Sequence, residues 1–168
     1  MSHAPVANQA SAAGLRVAVI VSRYHADVTE SLRAGAQSAF AAAGGDPADL
    51  RFFHAPGAYE LPVIAAAVLD EGEVDALVAL GCIITGETTH DQYIAHAVSD
   101  GLMRLSVSYG TPVALGVLTC QTLEQARQRA GGSRGNKGAE AMTAALDAAS
   151  TIHAIREASL ARAAQGGA

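Results

Sequence analysis

The apolar residues of this chain are arranged in two patterns, continuous runs and helical spacing. Four short, mostly apolar runs are predicted to be strands, at residues 16–22, 50–54, 75–84 and 112–119. Five segments with apolar side chains at helical spacing are predicted to be helices, at residues 27–43, 60–71, 89–109, 123–130 and 137–161. Predicted strands and helices alternate along the chain, and this order indicates right-handed β-α-β crossovers. We therefore predict a three-layer α/β/α fold with a four-stranded, mainly parallel sheet of the flavodoxin-like type.

The composition fits one folded domain and excludes several classes of function. Of the 168 residues, 50% are hydrophobic and 16% are charged, which provides a full core and excludes intrinsic disorder. The net charge of −5 gives no basic excess for a nucleic-acid backbone or an anionic membrane. No apolar run approaches the roughly 18 residues of a membrane-spanning helix. We expect neither a nucleic-acid partner nor a membrane partner.

The chain ends and the cysteines indicate a cytoplasmic protein. Residues 1–14 are predicted to be a disordered tail, and they lack the charged start and apolar stretch of a secretory signal. One domain is predicted over residues 15–162, followed by a frayed C-terminus at 163–168. Cys82 and Cys120 lie far apart in the sequence, without C-x-x-C spacing, which indicates neither a disulfide framework nor a zinc site.

Polar or glycine-rich segments follow every predicted strand. They are residues 22–25, 56–62, 81–90 and 119–120. In an open parallel sheet, ligands bind outside the carboxyl ends of the strands. Segments that are distant in sequence are therefore expected to converge on one edge of the sheet and form a binding site there.

Two of these features are candidates for binding an anion. The G-E-T-T-H sequence at residues 86–90 opens a helix, where free backbone N–H groups and the helix dipole favour phosphate. Thr89 and Gln92 also fit a capping box, a role that is compatible with phosphate binding. Arg129 and Lys137 bracket a glycine-rich stretch suited to close over an anion, although each cation taken singly also fits a solvated helix end. The stretch is not a P-loop, because a helix precedes it.

Histidine and tyrosine side chains at the strand ends are candidates for chemistry and stacking. His90 lies at a helix start, and an imidazole exchanges its proton readily near neutral pH. His96 is six residues further on, so no H-x-x-x-H metal pair exists. Packing beneath the loop is the default expectation for Tyr24, which lies beside His25, although its ring is also suited to stack on a flat heterocycle. Glu60 is a candidate acceptor for ligand hydroxyl groups.

Several short motifs together resemble a known enzyme family. They are P-G-A-Y-E-L-P at 56–62, the segment 81–90, Leu118-Thr119, Arg129-Ala130-Gly131 and G-N-K-G at 135–138. They are similar to those of the 6,7-dimethyl-8-ribityllumazine synthases of riboflavin biosynthesis, over nearly the whole chain. The resemblance implies a transferase that condenses 5-amino-6-(D-ribitylamino)uracil with 3,4-dihydroxy-2-butanone 4-phosphate. The products are 6,7-dimethyl-8-ribityllumazine, phosphate and water, and neither a cofactor nor a metal takes part.

The resemblance also implies roles for individual residues. His90 would transfer protons. The pyrimidine and ribityl groups would contact Tyr24, His25, Ala58, Tyr59, Glu60, Cys82, Ile83, Ile84 and Leu115. The phosphate would contact Gly86, Glu87, Thr88, Thr89, Arg129 and Lys137. The family often has Phe-Asn in place of Tyr24-His25, an aromatic residue in place of Leu115 and a basic residue in place of Thr85.

The resemblance further implies a homo-pentamer whose sites are shared by adjacent subunits, with riboflavin synthase as a further partner. The connection from Arg129 to Lys137 has no extra residues, as in members that form icosahedral shells of pentamers. One alternative function is a non-catalytic flavin-binding, lumazine-binding or storage protein on the same fold. Another is a receiver-type signalling domain, which would need acidic residues where this chain has Ser22-Arg23 and Gly81-Cys82.

Overall fold

The predicted strands and helices all form, in the predicted order. The computed structural model describes residues 11–165. The strands are β1 (Val17–Ser22), β2 (Leu50–Ala55), β3 (Ala76–Ile84) and β4 (Val113–Cys120). The main helices are α1 (Ala26–Ala42), α2 (Leu61–Asp70), α3 (His90–Tyr109), α4 (Leu123–Arg129) and α5 (Lys137–Gln165). The four strands pair in parallel in the order β2-β1-β3-β4, which confirms the three-layer, flavodoxin-like prediction.

Each face of the sheet has its own hydrophobic core. Val17, Val19 and Val21 of β1 pack with α1, α4 and α5 on one face. Ala18 and Ile20 of the same strand pack with α2 and α3 on the other face. Because the inner strands are covered on both sides, their sequences are continuously apolar rather than alternating.

The glycine-rich stretch between α4 and α5 forms a small hairpin that the sequence pattern did not predict. Its strands are β5 (Ala130–Gly132) and β6 (Gly135–Asn136), and they pair antiparallel. Gly131 and Gly135 have φ angles of 117° and 75°, which glycine adopts without the strain of a side chain. The hairpin turns the chain from α4 into α5 within a few residues.

Asn136 attaches this hairpin to both neighbouring helices. Its Nδ2 donates to the Ser31 carbonyl oxygen of α1 at 2.8 Å. Its Oδ1 accepts the backbone N–H groups of Gly138 at 2.9 Å and Ala139 at 3.1 Å. Asn136 therefore caps the start of α5 and fixes that start against α1.

The two ends of the described chain overlap the predicted terminal segments. Ala12 is buried, and its N–H donates to the Ala43 carbonyl oxygen at 2.9 Å. Residues 1–10 of the predicted tail lie outside the described residues. The α5 helix continues to Gln165, and residues 166–168 of the predicted frayed end also lie outside them. Among residues 11–165, no helix combines the length and the hydropathy needed to cross a membrane.

Candidate active site

A cavity of about 230 Å³ lies at the carboxyl ends of β1, β2 and β3. Residues from the loops after β1 and β2, the end of β3 and the start of α3 line it: Tyr24, His25, Gly57, Ala58, Tyr59, Glu60, Cys82, Ile83, Ile84, His90 and Ile94. The parallel pairing of β1 with β2 and β3 brings these loops together. The predicted convergence is therefore present for the ends of β1, β2 and β3, whereas Thr119 and Cys120 at the end of β4 line a different cavity.

The loop after β1 presents an exposed aromatic ring. The hydroxyl of the buried Ser22 accepts the Tyr24 backbone N–H at 3.3 Å. His25 has φ 57° and ψ 52°, a left-handed conformation that is uncommon for a residue with a side chain. The rings of Tyr24 and His25 meet edge to face, with centroids 4.9 Å apart. Because Tyr24 is 68% exposed, the default expectation that it packs beneath the loop is wrong.

The loop between β2 and α2 provides an unpaired carboxylate. Glu60 directly precedes α2 but does not cap it with its side chain. Within residues 11–165, its carboxylate accepts no hydrogen bond and takes part in no ion pair. A Cβ on Gly57 would lie 3.0 Å from Glu60 Oε2, so the glycine leaves room for this carboxylate beside the cavity. Glu60 is thus available as an acceptor for ligand hydroxyl groups.

The segment that leads into α3 is exposed and lacks a side-chain cap. Thr88 Oγ1 lies 2.6 Å from His90 Nδ1, which orients the imidazole at the start of the helix. The predicted capping box of Thr89 and Gln92 is wrong, because the Gln92 N–H donates to the Thr89 backbone carbonyl instead. Thr89 has φ −82° and ψ 14°, not the extended conformation typical of a capping residue. The first N–H groups of α3 therefore have no side-chain acceptor within the described chain.

A second cavity, of about 460 Å³, lies beside β4, α4 and α5. It is lined by Leu115, Gly116, Val117, Leu118, Thr119, Cys120, Arg129, Lys137, Glu140, Ala141 and Ala144. Leu115 is 52% exposed at this surface. No residue lines both cavities. Within one protomer, Leu115, Arg129 and Lys137 are therefore not brought together with His90.

The two cations of the second cavity differ in how they are held. The Arg129 guanidinium donates to the Gln125 carbonyl oxygen at 3.0 Å, which fixes the side chain without neutralising its charge. Lys137 Nζ lies 2.5 Å from a Glu140 carboxylate oxygen in an ion pair. An anion in this cavity would thus meet one uncompensated cation and one that is already paired.

The buried cysteines present no activated nucleophile. Burial raises the pKa of the Cys82 thiol to about 12, and the neighbouring Cys120 adds to the effect. Burial also raises the pKa of Cys120, although the nearby Arg129 opposes the shift. Both thiols are protonated at neutral pH. Within residues 11–165, no group of three or more His, Cys, Asp or Glu side chains is placed to hold a metal ion.

Ile94 and Glu140 are among the lining residues that the sequence did not indicate. Ile94 follows His90 by four positions on α3, and Glu140 follows Lys137 by three positions on α5. Residues at these spacings share one face of a helix. Helical spacing from the predicted site residues is the signal that could have identified both.

The comparisons with known proteins agree with these motifs. A family model for 6,7-dimethyl-8-ribityllumazine synthase matches residues 14–153. The chain belongs to the 6,7-dimethyl-8-ribityllumazine synthase family. A relative of that name from Thermus thermophilus is 43% identical over 86% of this chain and 92% of its own. The relative from Anaeromyxobacter dehalogenans is also 43% identical, over 86% of this chain and 90% of its own. The lumazine synthase resemblance is therefore confirmed, and an enzyme family rather than a receiver domain accounts for the fold.

Proposed function

We propose that the chain catalyses the condensation of 5-amino-6-(D-ribitylamino)uracil with 3,4-dihydroxy-2-butanone 4-phosphate. The products are 6,7-dimethyl-8-ribityllumazine, phosphate and water, as a step of riboflavin biosynthesis. The observation that carries the proposal is the cavity that joins Tyr24, Glu60 and His90, in a chain 43% identical to lumazine synthases. The substrate amine is itself a nucleophile, which is consistent with a cavity whose thiol has its pKa raised to about 12 and with chemistry that needs no cofactor.

In this proposal, the first cavity holds the pyrimidine and its ribityl chain. The exposed ring of Tyr24 stacks on the flat heterocycle, and the apolar side chains of β3 contact its edge. The ribityl hydroxyls are bound by His25, the 58–60 segment and the unpaired Glu60 carboxylate. The β3 contacts are Cys82, Ile83 and Ile84.

The phosphate and the protons are handled at the start of α3. The uncapped N–H groups at the start of α3 and the dipole of this 20-residue helix favour an anion beside the 86–89 segment. The segment consists of Gly86, Glu87, Thr88 and Thr89. His90, oriented by Thr88, transfers protons, a contribution of typically ~10²–10⁴-fold. Holding the two reactants together contributes a larger share.

The separation of the two cavities supports a site shared between subunits. Arg129 and Lys137 carry the positive charge that a phosphate site needs, yet they line the cavity away from His90. In a homo-pentamer, the second cavity of one subunit would complete the first cavity of its neighbour, and Leu115 would form the second wall. The short β5–β6 hairpin supports an icosahedral shell of such pentamers. Riboflavin synthase as a partner and a cytoplasmic location belong to the same proposal.

A two-substrate assay tests the proposed activity. Purified protein is mixed with both substrates, and lumazine fluorescence is followed over time. Arg129→Ala is expected to raise chiefly the KM for the phosphorylated ketone, because its guanidinium faces the second cavity. The matched control is Arg134→Ala, since Arg134 is exposed in the adjacent β5–β6 hairpin and lines neither cavity. Tight binding of lumazine without turnover would contradict the proposal and favour a storage protein.

A further inference from the structure

Asp91 is the only charged side chain that is buried among the described residues. It is 5% exposed and lies in the first turn of α3, directly after His90. A buried carboxylate is unfavourable unless hydrogen bonds or an opposite charge compensate it. No Lys, Arg or His within residues 11–165 forms an ion pair with Asp91. Its burial is compensated by the positive end of the α3 dipole and by one side chain.

That side chain is Thr85, which directly follows β3. Thr85 Oγ1 donates to Asp91 Oδ2 at 2.9 Å, while Asp91 Oδ1 has no partner in the described part of the chain. The Thr85 backbone N–H donates to the Cys120 carbonyl oxygen at the end of β4, also at 2.9 Å. Thr85 is therefore attached to the sheet through its backbone and to α3 through its hydroxyl.

The Thr85–Asp91 hydrogen bond joins the two residues that flank the 86–90 segment. This segment is exposed, and its own side-chain hydrogen bond, between Thr88 and His90, lies within it. Among the described residues, the Thr85–Asp91 bond is the one side-chain hydrogen bond that spans the segment. A segment without such a hydrogen bond would lose more conformational entropy when it binds a ligand.

We propose that Thr85 and Asp91 are positioning residues that keep the 86–90 segment in the shape required for phosphate binding. The inference rests on the proposed function, in which this segment binds the phosphate of the ketone substrate. Neither Thr85 nor Asp91 lines either cavity, so both act through the segment rather than on the substrate. Loss of the hydrogen bond should therefore weaken the binding of phosphate-bearing ligands selectively.

Substitution of the hydroxyl group alone provides the test. Thr85→Val keeps the size of the side chain and removes the donor, whereas Thr85→Ser keeps the donor. Asp91→Asn keeps an oxygen that can accept from Thr85. The matched control is Thr151→Val on α5, far from the 86–90 segment in sequence. It removes a hydroxyl that donates to the Asp147 carbonyl oxygen.

Three quantities are measured for each variant. They are the steady-state constants (kcat and the KM for each substrate), the dissociation constant for inorganic phosphate by titration calorimetry, and the thermal unfolding midpoint. For Thr85→Val, we expect the ketone KM and the phosphate dissociation constant to rise about tenfold, as for a lost hydrogen bond to a charged group. The KM for the amine substrate and kcat should stay within about twofold of wild type. Thr85→Ser, Asp91→Asn and Thr151→Val should retain wild-type phosphate binding.

Two results would overturn the positioning role. One is a Thr85→Val protein with unchanged phosphate affinity, even if its unfolding midpoint falls, because the pair would then serve stability alone. The other is a Thr85→Ser protein that is as impaired as Thr85→Val. A wild-type protein that forms no lumazine would contradict the proposed function. In that event the calorimetric comparison of phosphate affinity would still decide the role of the pair.

Discussion

His90 occupies the first position of α3 and is exposed to solvent, so its substitution should leave the fold intact. We expect His90→Ala to lower kcat by about 10²–10⁴-fold, because one proton-transfer group is lost while reactant positioning remains. Steady-state kinetics with both substrates measure the effect. His96→Ala is the control, since His96 is exposed on the same helix and lines neither cavity. An unchanged kcat for His90→Ala would exclude proton transfer by this side chain.

Cys82 is expected to be inert although it lines the candidate site. With its pKa raised to about 12, only ~10⁻⁴ of the thiol is ionised at pH 8, and the thiolate is the reactive form. Iodoacetamide at pH 8 should therefore leave Cys82 unmodified in the folded protein. Complete modification in urea is the positive control, and mass spectrometry of peptides locates the label. Rapid labelling of the native protein would contradict the buried, protonated state.

Helix α5 packs closely against α1 at a glycine. A Cβ on Gly138 would overlap the Leu32 carbonyl oxygen and lie 2.7 Å from the Leu32 carbonyl carbon. Since both partners are backbone, Gly138→Ala should force the helices apart and lower the free energy of unfolding by about 3 kcal/mol. Urea denaturation measures this loss.

Substitution of a second glycine distinguishes the effect of steric overlap from that of backbone strain. Gly72 has φ 69°, and a Cβ there would meet nothing within 4 Å. Gly72→Ala should therefore cost only about 1 kcal/mol, from the left-handed conformation alone. Equal losses for the two variants would show that the contact between α1 and α5 tolerates a methyl group.

An ion pair joins the start of α1 to α4 and makes their contact sensitive to acid. Arg127 Nη2 lies 2.9 Å from Asp27 Oδ2, and this partner holds the Asp27 pKa below its usual value of 3.8. A lowered pKa in the folded state contributes stability above the unfolded pKa, and that contribution is lost as the pH falls through the folded value. The relevant window is therefore below about pH 4.

Asp27→Asn should be slightly less stable than wild type at pH 6. The difference should shrink as the pH falls below about 4 and the wild-type carboxylate becomes protonated as well. Urea denaturation over this pH range measures the change. Asp100→Asn is the control, because Asp100 pairs with Arg104 within a single helix rather than between two elements. A pH-independent difference for Asp27→Asn would attribute the effect to something other than the ion pair.

The elements that the sequence predicts well are those whose periodicity is set by burial. The apolar run of β1 and the helical spacing of Val28, Leu32 and Phe40 reflect contacts that bury whole faces. The β5–β6 hairpin has strands of three and two residues, too short to carry a period. The capping box was predicted from residue types, whereas the Thr89 backbone conformation decides the outcome. Most residues of the first cavity were predictable because parallel strands end at one edge, whereas Ile94 lies within α3 and was missed.

At the scale of the whole molecule, the predicted site divides between two surfaces. Sequence order could not reveal this division, because it depends on which side of β4 the α4–α5 connection packs.

If adjacent subunits share each site, two chains that are altered in different cavities should restore activity when they assemble together. Co-expressed His90→Ala and Arg129→Ala chains would form mixed assemblies, in which about a quarter of the interfaces combine two unaltered halves.

We expect the rate of this mixture, at low ketone concentration, to exceed the sum of the two parents assayed alone. Light scattering on the same sample gives the number of subunits. A mixture of wild-type mass whose rate equals that sum would place each site within one protomer. A monomeric mass would exclude the pentamer.

Strand β4 is the last strand of the sheet, and its outer edge lies beside the second cavity. An uncovered edge strand is a template onto which other chains can add, and proteins normally hide such edges. A neighbouring subunit seated here would complete a site and shield that backbone at once. Dilution, or a mutation that separates the subunits, would expose the β4 edge and would then cause both precipitation and loss of turnover. Selection against aggregation would therefore also preserve the catalytic assembly.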